Sequence, residues 1–152
     1  METIEEELIA PCGMNCGLCI SYLAMKVDLN RKGFSERYCA GCRPRGTNCT
    51  FMAGHCARIG KGLVRFRYDC HDFPCRKLEA LDKRYRASYH MSMIANLGFI
   101  REHGTEQFLQ EEAAKWRCPA CDGVICCHNG LCLDCGLDKL RRNKKYRWGE
   151  RN

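Results

Sequence analysis

Cys118-x2-Cys121 and Cys132-x2-Cys135, with ten residues between the pairs, have the spacing of the two knuckles of a zinc ribbon. In each knuckle a tight turn aims two sulfurs and nearby N–H groups at one point. Four thiolates then close a tetrahedral site with no position left for water or substrate, so the chemistry expected is structural. Iron could occupy the same sulfurs in rubredoxin fashion, because tetrahedral sulfur sites accept both metals. Gly136 gives the second turn backbone freedom, and Gly123 and Asn129-Gly130 suit a connecting hairpin. Cys126 and Cys127 are neighbours, and neighbours in an extended strand point to opposite sides, so at most one faces this metal. A buried small residue and a thiol on the hairpin is the simpler reading of that pair.

A second set of sulfurs precedes this one: Cys12-x3-Cys16-x2-Cys19, Cys39-x2-Cys42, Cys49, Cys56, and Cys70-x4-Cys75. Nine sulfurs suffice for two four-ligand sites with one left over. The most economical division joins Cys39 and Cys42 to two of Cys12, Cys16 and Cys19, and groups Cys49, Cys56, Cys70 and Cys75. Spacing does not decide the pairing of ligands far apart in sequence. His55, His71 and His128 abut cysteines and could each replace a sulfur, whereas His90 and His103 fall in a helical stretch where a structural role is the default.

The spacing of Cys12, Cys16 and Cys19 equals the motif that holds three irons of a cubane in radical S-adenosylmethionine enzymes. Their partial barrel, however, needs about 200 residues of alternating strands and helices, and Leu18 stands where such motifs place an aromatic residue. A non-catalytic iron–sulfur cluster on Cys12, Cys16, Cys19 and one further cysteine is the alternative to zinc, serving redox or sensing.

Metal is preferred to disulfides on several grounds. The fifteen cysteines are odd in number, and pairs such as Cys39 and Cys42 would close loops too short to restrain the unfolded chain. Residues 1–11 have neither the basic start nor the apolar run of a secretory signal, so a reducing cytoplasm is expected. Without cysteine, the hydrophobic content falls from 45% to about 35%, thin for a core of this size. Metal binding must then supply part of the folding energy.

Several functions are excluded. No apolar run reaches the length of a membrane span. No HExxH, phosphate-cradling glycine loop with lysine, or nucleophile elbow is present, so no hydrolytic constellation and no catalytic residue is assigned. The net charge of +7 is concentrated in residues 139–152, where seven basic residues face Glu150 alone. With Tyr146 and Trp148 among them, this tail could follow a phosphate backbone and stack on bases, or meet an acidic protein. A solvated, frayed helix is the simpler reading of such a charge run.

The elements that must position these groups are few. Residues 20–29 resemble a helix within an otherwise aperiodic first 75 residues. Leu78, Leu81, Tyr85, Tyr89, Met93, Leu97 and Ile100 then recur every three or four residues, predicting one long amphipathic helix that Gly104 ends. Thr105 would N-cap a second helix to about Lys115, with Leu109, Ala113 and Trp116 inside. The resulting expectation is a small metal-stabilised α+β protein. It comprises an irregular cysteine-rich module (1–75), a helical pair (76–116), a zinc-ribbon hairpin (117–137) and a basic tail (138–152), holding about two or three zinc ions.

The run Pro11-Cys12-Gly13-Met14-Asn15-Cys16-Gly17-Leu18-Cys19, then Cys39-Ala40-Gly41-Cys42, then Cys70-His71-Asp72-Phe73-Pro74-Cys75-Arg76-Lys77-Leu78, resembles the DUF3795 family of small cysteine-rich proteins over about residues 9–80. The rest resembles its longer members, which add the Gly104 helix junction and a Trp-x-Cys-x2-Cys ribbon. That family is widespread in anaerobic bacteria and archaea and has no established activity; the resemblance implies metal binding and leaves the role open. Members often carry further cysteines where this chain has Arg67 and Met52, which leaves the second N-terminal site incomplete, supported by histidine, or absent.

Overall fold

The computed structural model describes residues 4–44, 66–70 and 72–148; Cys49, Cys56, His55 and His71 lie outside the described residues. The described part is mostly helical. Its α-helices are α1 (Ile20–Lys26), α2 (Arg76–Ser88), α3 (Met93–His103), α4 (Thr105–Lys115) and α5 (Leu137–Arg142). Among the described residues, β-structure is confined to isolated antiparallel bridges, Ile9 with Asn15, Arg117 with Val124 and Ile125 with Cys132. The last two lie where the ribbon hairpin was expected, and neither extends into a strand.

Helix α1 is shorter than its sequence suggests. Asp28 adopts φ 51°, and the chain turns into a 3₁₀ segment at Leu29–Lys32. The Tyr38 hydroxyl fixes that turn, donating to Asp28 Oδ1 (2.6 Å) and accepting from Asn30 N (3.0 Å).

The long helix expected from Arg76 to Gly104 is instead two helices with a break at Tyr89–Ser92. His90 has φ 56°, outside the helical region, and Ser92 caps α3 by accepting from Ala95 N (3.0 Å). The elbow is clamped by Asp82, a buried carboxylate that accepts from Ser92 Oγ (2.6 Å), Ile94 N (3.0 Å) and Arg86 Nε (2.7 Å). Burial alone would raise the Asp82 pKa, but these donors outweigh it and hold it below the ordinary value. The apolar stripe runs through the break because both helices face one core.

Gly104, not Thr105, is the N-cap of α4. Its φ 87° and ψ 162° lie in a region essentially restricted to glycine, and its N–H closes α3 on Ile100 O (2.8 Å). The buried face of α4 is Phe108, Glu112 and Trp116, with Leu109 and Ala113 only half-buried at its edge. A polar contact sets this rotation: buried Asn15 Nδ2 donates to Glu112 Oε1 at 3.2 Å.

Two apolar clusters form the interior. The first joins Leu8, Ile9, Met14 and Leu18 to Leu78, Leu81, Met93, Leu97, Ile100, Phe108 and Trp116, and includes Cys12, Cys16 and Cys127. The second joins Leu23, Ala24, Leu29 and Phe34 to Cys126, Leu131, Leu133, Leu140 and Tyr146. The tail through Trp148 is therefore docked, not a frayed helix. Tyr146 is buried, and Trp148 lies against Gly130 and donates Nε1–H to Cys127 O at 2.7 Å. The Trp148 ring is half-buried and packs beside His90 and Trp116.

Candidate metal centre

Each C-terminal knuckle is built from short-range backbone bonds. Cys118 N donates to Gly123 O (2.7 Å) and Asp122 N to Cys118 O (3.1 Å); in the second knuckle Gly136 N donates to Cys132 O (2.7 Å). Asp122 takes φ 66° to complete the first turn and pairs with Arg117. Between the knuckles, Ile125 N reaches Trp116 O and Cys126 N reaches Leu131 O, both at 2.8 Å. A Cβ at position 123 would crowd Cys132 Sγ at 3.1 Å and Cys121 Sγ at 3.3 Å, so glycine there leaves room for the sulfurs.

These turns bring the sulfurs of Cys118, Cys121, Cys132 and Cys135 within 4.8 Å of one another. Cys118 Sγ is 3.6 Å from Cys135 Sγ, and Cys121 Sγ is 3.5 Å from Cys132 Sγ. A disulfide needs about 2.05 Å, whereas a tetrahedron with metal–sulfur bonds of about 2.3 Å has edges near 3.8 Å. The four sulfurs therefore suit one ion and could hold it. Cys118 and Cys132 are buried while Cys121 and Cys135 are exposed, so the centre has an inner and an outer side.

The electrostatics fit a cation-binding role. The N–H groups of Ala120 and Cys121 lower the Cys118 pKa to about 7. Crowding by the Cys121 and Cys118 side chains pushes Cys135 up to about 12, and burial raises Cys132. Several thiolates at this separation need a positive ion between them.

The N-terminal cysteines are organised differently. Ala10 N bonds Met14 O (2.8 Å) and Gly13 N bonds Ala10 O (2.9 Å), closing a turn with Cys12 and Cys16 around it. Gly13 has φ 90°, and a Cβ there would sit 2.6 Å from Met93 O, so the turn lies directly on α3. Asn15 Oδ1 accepts from Gly17 N (3.0 Å), starting the 3₁₀ turn Cys16–Leu18 that delivers Cys19 to the start of α1. Cys12 and Cys16 are buried; Cys19, Cys42 and Cys75 pack against the same cluster. Cys39 and Cys70 are half-buried, and negative charge on Cys16 or Cys39 would raise the Cys19 pKa, which burial already raises. No disulfide joins any two of the described cysteines. Among the described residues, only the C-terminal set gathers three or more ligand atoms so tightly.

Cys126 and Cys127 are both buried and diverge as adjacent residues should: Cys126 enters the second cluster and Cys127 the first. Burial pushes the Cys126 thiol up to about 12 and raises Cys127 well above its ordinary value. His128 spends both ring nitrogens on the fold. Nδ1 accepts from Ile20 N (3.2 Å), and Nε2 is 3.0 Å from the Tyr85 hydroxyl, so the proton belongs on Nε2. Burial, reinforced by Arg147 and Arg84, lowers its pKa to about 4, and the ring is neutral. A histidine bridging α1 and α2 leaves no trace in local sequence.

The described residues thus define a small, mostly helical, cysteine-rich protein with a four-sulfur centre able to hold a metal ion. Residues 8–80 match the model of the family described as "Protein of unknown function (DUF3795)". No curated protein and no solved structure gives a significant match.

Proposed function

We propose that this protein is a zinc-stabilised binding module, with one zinc ion on Cys118, Cys121, Cys132 and Cys135 in a ribbon-like hairpin and a basic face that engages nucleic acid. The observation that carries the reading is the convergence of those four sulfurs at distances suited to one ion. An all-sulfur tetrahedron is chemistry that zinc favours, and with every position filled by protein the ion is structural. The N-terminal cysteines Cys12, Cys16, Cys19, Cys39, Cys42, Cys49, Cys56, Cys70 and Cys75 belong to the same proposal as a second metal-binding region, whose metal need not be zinc.

The basic face is supported by how its charges are held. Lys139, Arg141, Arg142, Lys144, Lys145 and Arg147 are exposed on a segment that buried Leu140 and Tyr146 anchor. Arg141 extends the face to the first module by donating to Lys32 O (2.9 Å) and lying over the Phe34 ring. Lys144, Lys145 and Arg147 line a hollow of about 150 Å³ with His128 and Glu36, room enough for a phosphate group. No described helix is long and apolar enough to cross a membrane.

Elemental analysis of the anaerobically purified chain tests the metal: zinc is expected, lost on Cys135→Ser, and a chain that is folded without metal refutes the reading. Binding to single-stranded DNA across a salt series tests the face. Lys144→Glu with Lys145→Glu should weaken binding and reduce the log–log salt slope by about 1.5. An unchanged slope refutes the nucleic-acid reading in favour of an acidic protein partner or none.

A further inference from the structure

Cys127 is the sulfur that the ribbon does not use and the N-terminal motif receives. Its N–H donates to Leu18 O (2.9 Å), within the Cys16-Gly17-Leu18-Cys19 run itself. Its side chain lies in the apolar cluster that contains Cys12 and Cys16 and against which Cys19 packs. Its Sγ is 3.9 Å from His128 Nδ1, which in turn accepts from Ile20 N, the residue after Cys19, at 3.2 Å. Cys126, equally buried and one residue away, belongs instead to the second apolar cluster with Leu23, Leu29, Phe34, Leu131 and Leu140, and so serves as the comparison.

We propose that Cys127 is the fourth sulfur ligand to Cys12, Cys16 and Cys19, completing an iron–sulfur cluster that the N-terminal motif and the C-terminal ribbon segment hold between them.

The kind of metal follows from the donor pattern. Three thiols within eight residues, Cys12-x3-Cys16-x2-Cys19, and a fourth from a distant segment form an all-cysteine donor set of the kind that iron–sulfur clusters use. The shell is also built: the Cys127 carbonyl accepts from Trp148 Nε1, and Tyr85 with His128 walls the site from α2.

The test measures zinc, iron and acid-labile sulfide, with the visible spectrum, on the full chain purified without air. The wild type should carry iron and sulfide beside the ribbon zinc, with broad visible absorption. Cys127→Ala should lose iron and sulfide and keep zinc; Cys126→Ala should keep all three; Cys135→Ser should lose zinc and keep iron. Wild-type protein without iron, or Cys127→Ala with wild-type iron, overturns the proposal whatever becomes of the ribbon zinc. Retained zinc in Cys135→Ser counts against the ribbon reading alone. Should Cys127→Ala fail to fold, Cys127→Ser and Cys126→Ser are compared by electron paramagnetic resonance after reduction. A shifted signal in the first alone supports ligation by Cys127, and identical signals overturn it.

Discussion

The four C-terminal sulfurs and the three of the N-terminal Cys12-Cys16-Cys19 motif are placed by opposite routes. In the ribbon, every bond that shapes a knuckle spans five residues or fewer, and the sulfurs converge even though little apolar surface surrounds Cys121 and Cys135. In the N-terminal motif, the turn at Gly13 is laid on α3, Asn15 is bonded to α4, and Leu18 is bonded to Cys127. Its sulfurs are placed by the core. The difference separates sulfurs gathered by local turns at a partly exposed site from sulfurs positioned by burial in the core.

The largest test of that contrast removes a ribbon ligand. Cys132→Ser should abolish metal binding there, withdrawing a contribution on the order of 10 kcal/mol for a structural zinc site. The loss should be regional. Leu131, Leu133, Leu140 and Tyr146 belong to the second cluster and should lose protection from hydrogen exchange, whereas α2 and α3, which pack in the first, should keep theirs. Equal loss of protection in α3 would show that the ribbon metal holds the whole molecule and erase the distinction.

How much of this was legible in the sequence follows the same line. Cys118, Cys121, Cys132 and Cys135 could be read from spacing because their geometry is local. The stripe from Leu78 to Ile100 was legible as a buried face, but the break within it was not, since it depends on Asp82 meeting Ser92 across ten residues. On the inner face of α4 Trp116 was legible, whereas Phe108 and Glu112 take the places expected of Leu109 and Ala113, with Asn15, 97 residues away, bonded to Glu112. Tyr146 and Trp148 read as exposed among charges, and only the fold brings them to Leu131 and Gly130. Cys127 carries no local mark that separates it from Cys126.

A smaller effect sharpens the N-terminal side. Asp82→Ala removes the acceptor for three donors and should cost about 2 kcal/mol, loosening the α2–α3 elbow on which the Gly13 turn rests. Because the Asp82 pKa is lower folded than unfolded, its contribution is full above the unfolded value of about 3.9 and is lost as pH falls through the folded one. Wild type and variant should therefore converge in stability under acid. Denaturant titrations at neutral and acid pH measure this; a gap that stays constant with pH would show that packing, not the ionised carboxylate, holds the elbow. Zinc content should be the same in both proteins, as the ribbon does not touch Asp82.

The smallest effect has the opposite sign and separates hydrogen bonding from charge beneath the N-terminal turn. Burial raises the Glu112 pKa, and Asn15, Lys115 and Trp116 offset this only in part. A raised folded pKa means that the carboxyl favours folding below the unfolded value of about 4.3 and that this is lost as pH rises through the folded value. At neutral pH the group is thus a buried charge whose useful act is to accept from Asn15 Nδ2. Glutamine can accept that bond without the charge, so Glu112→Gln should stabilise the protein at neutral pH by about 1 kcal/mol and make no difference in acid. If the variant is instead less stable at neutral pH, the negative charge itself is required beneath Asn15, and the N-terminal motif is held by electrostatics as the ribbon is.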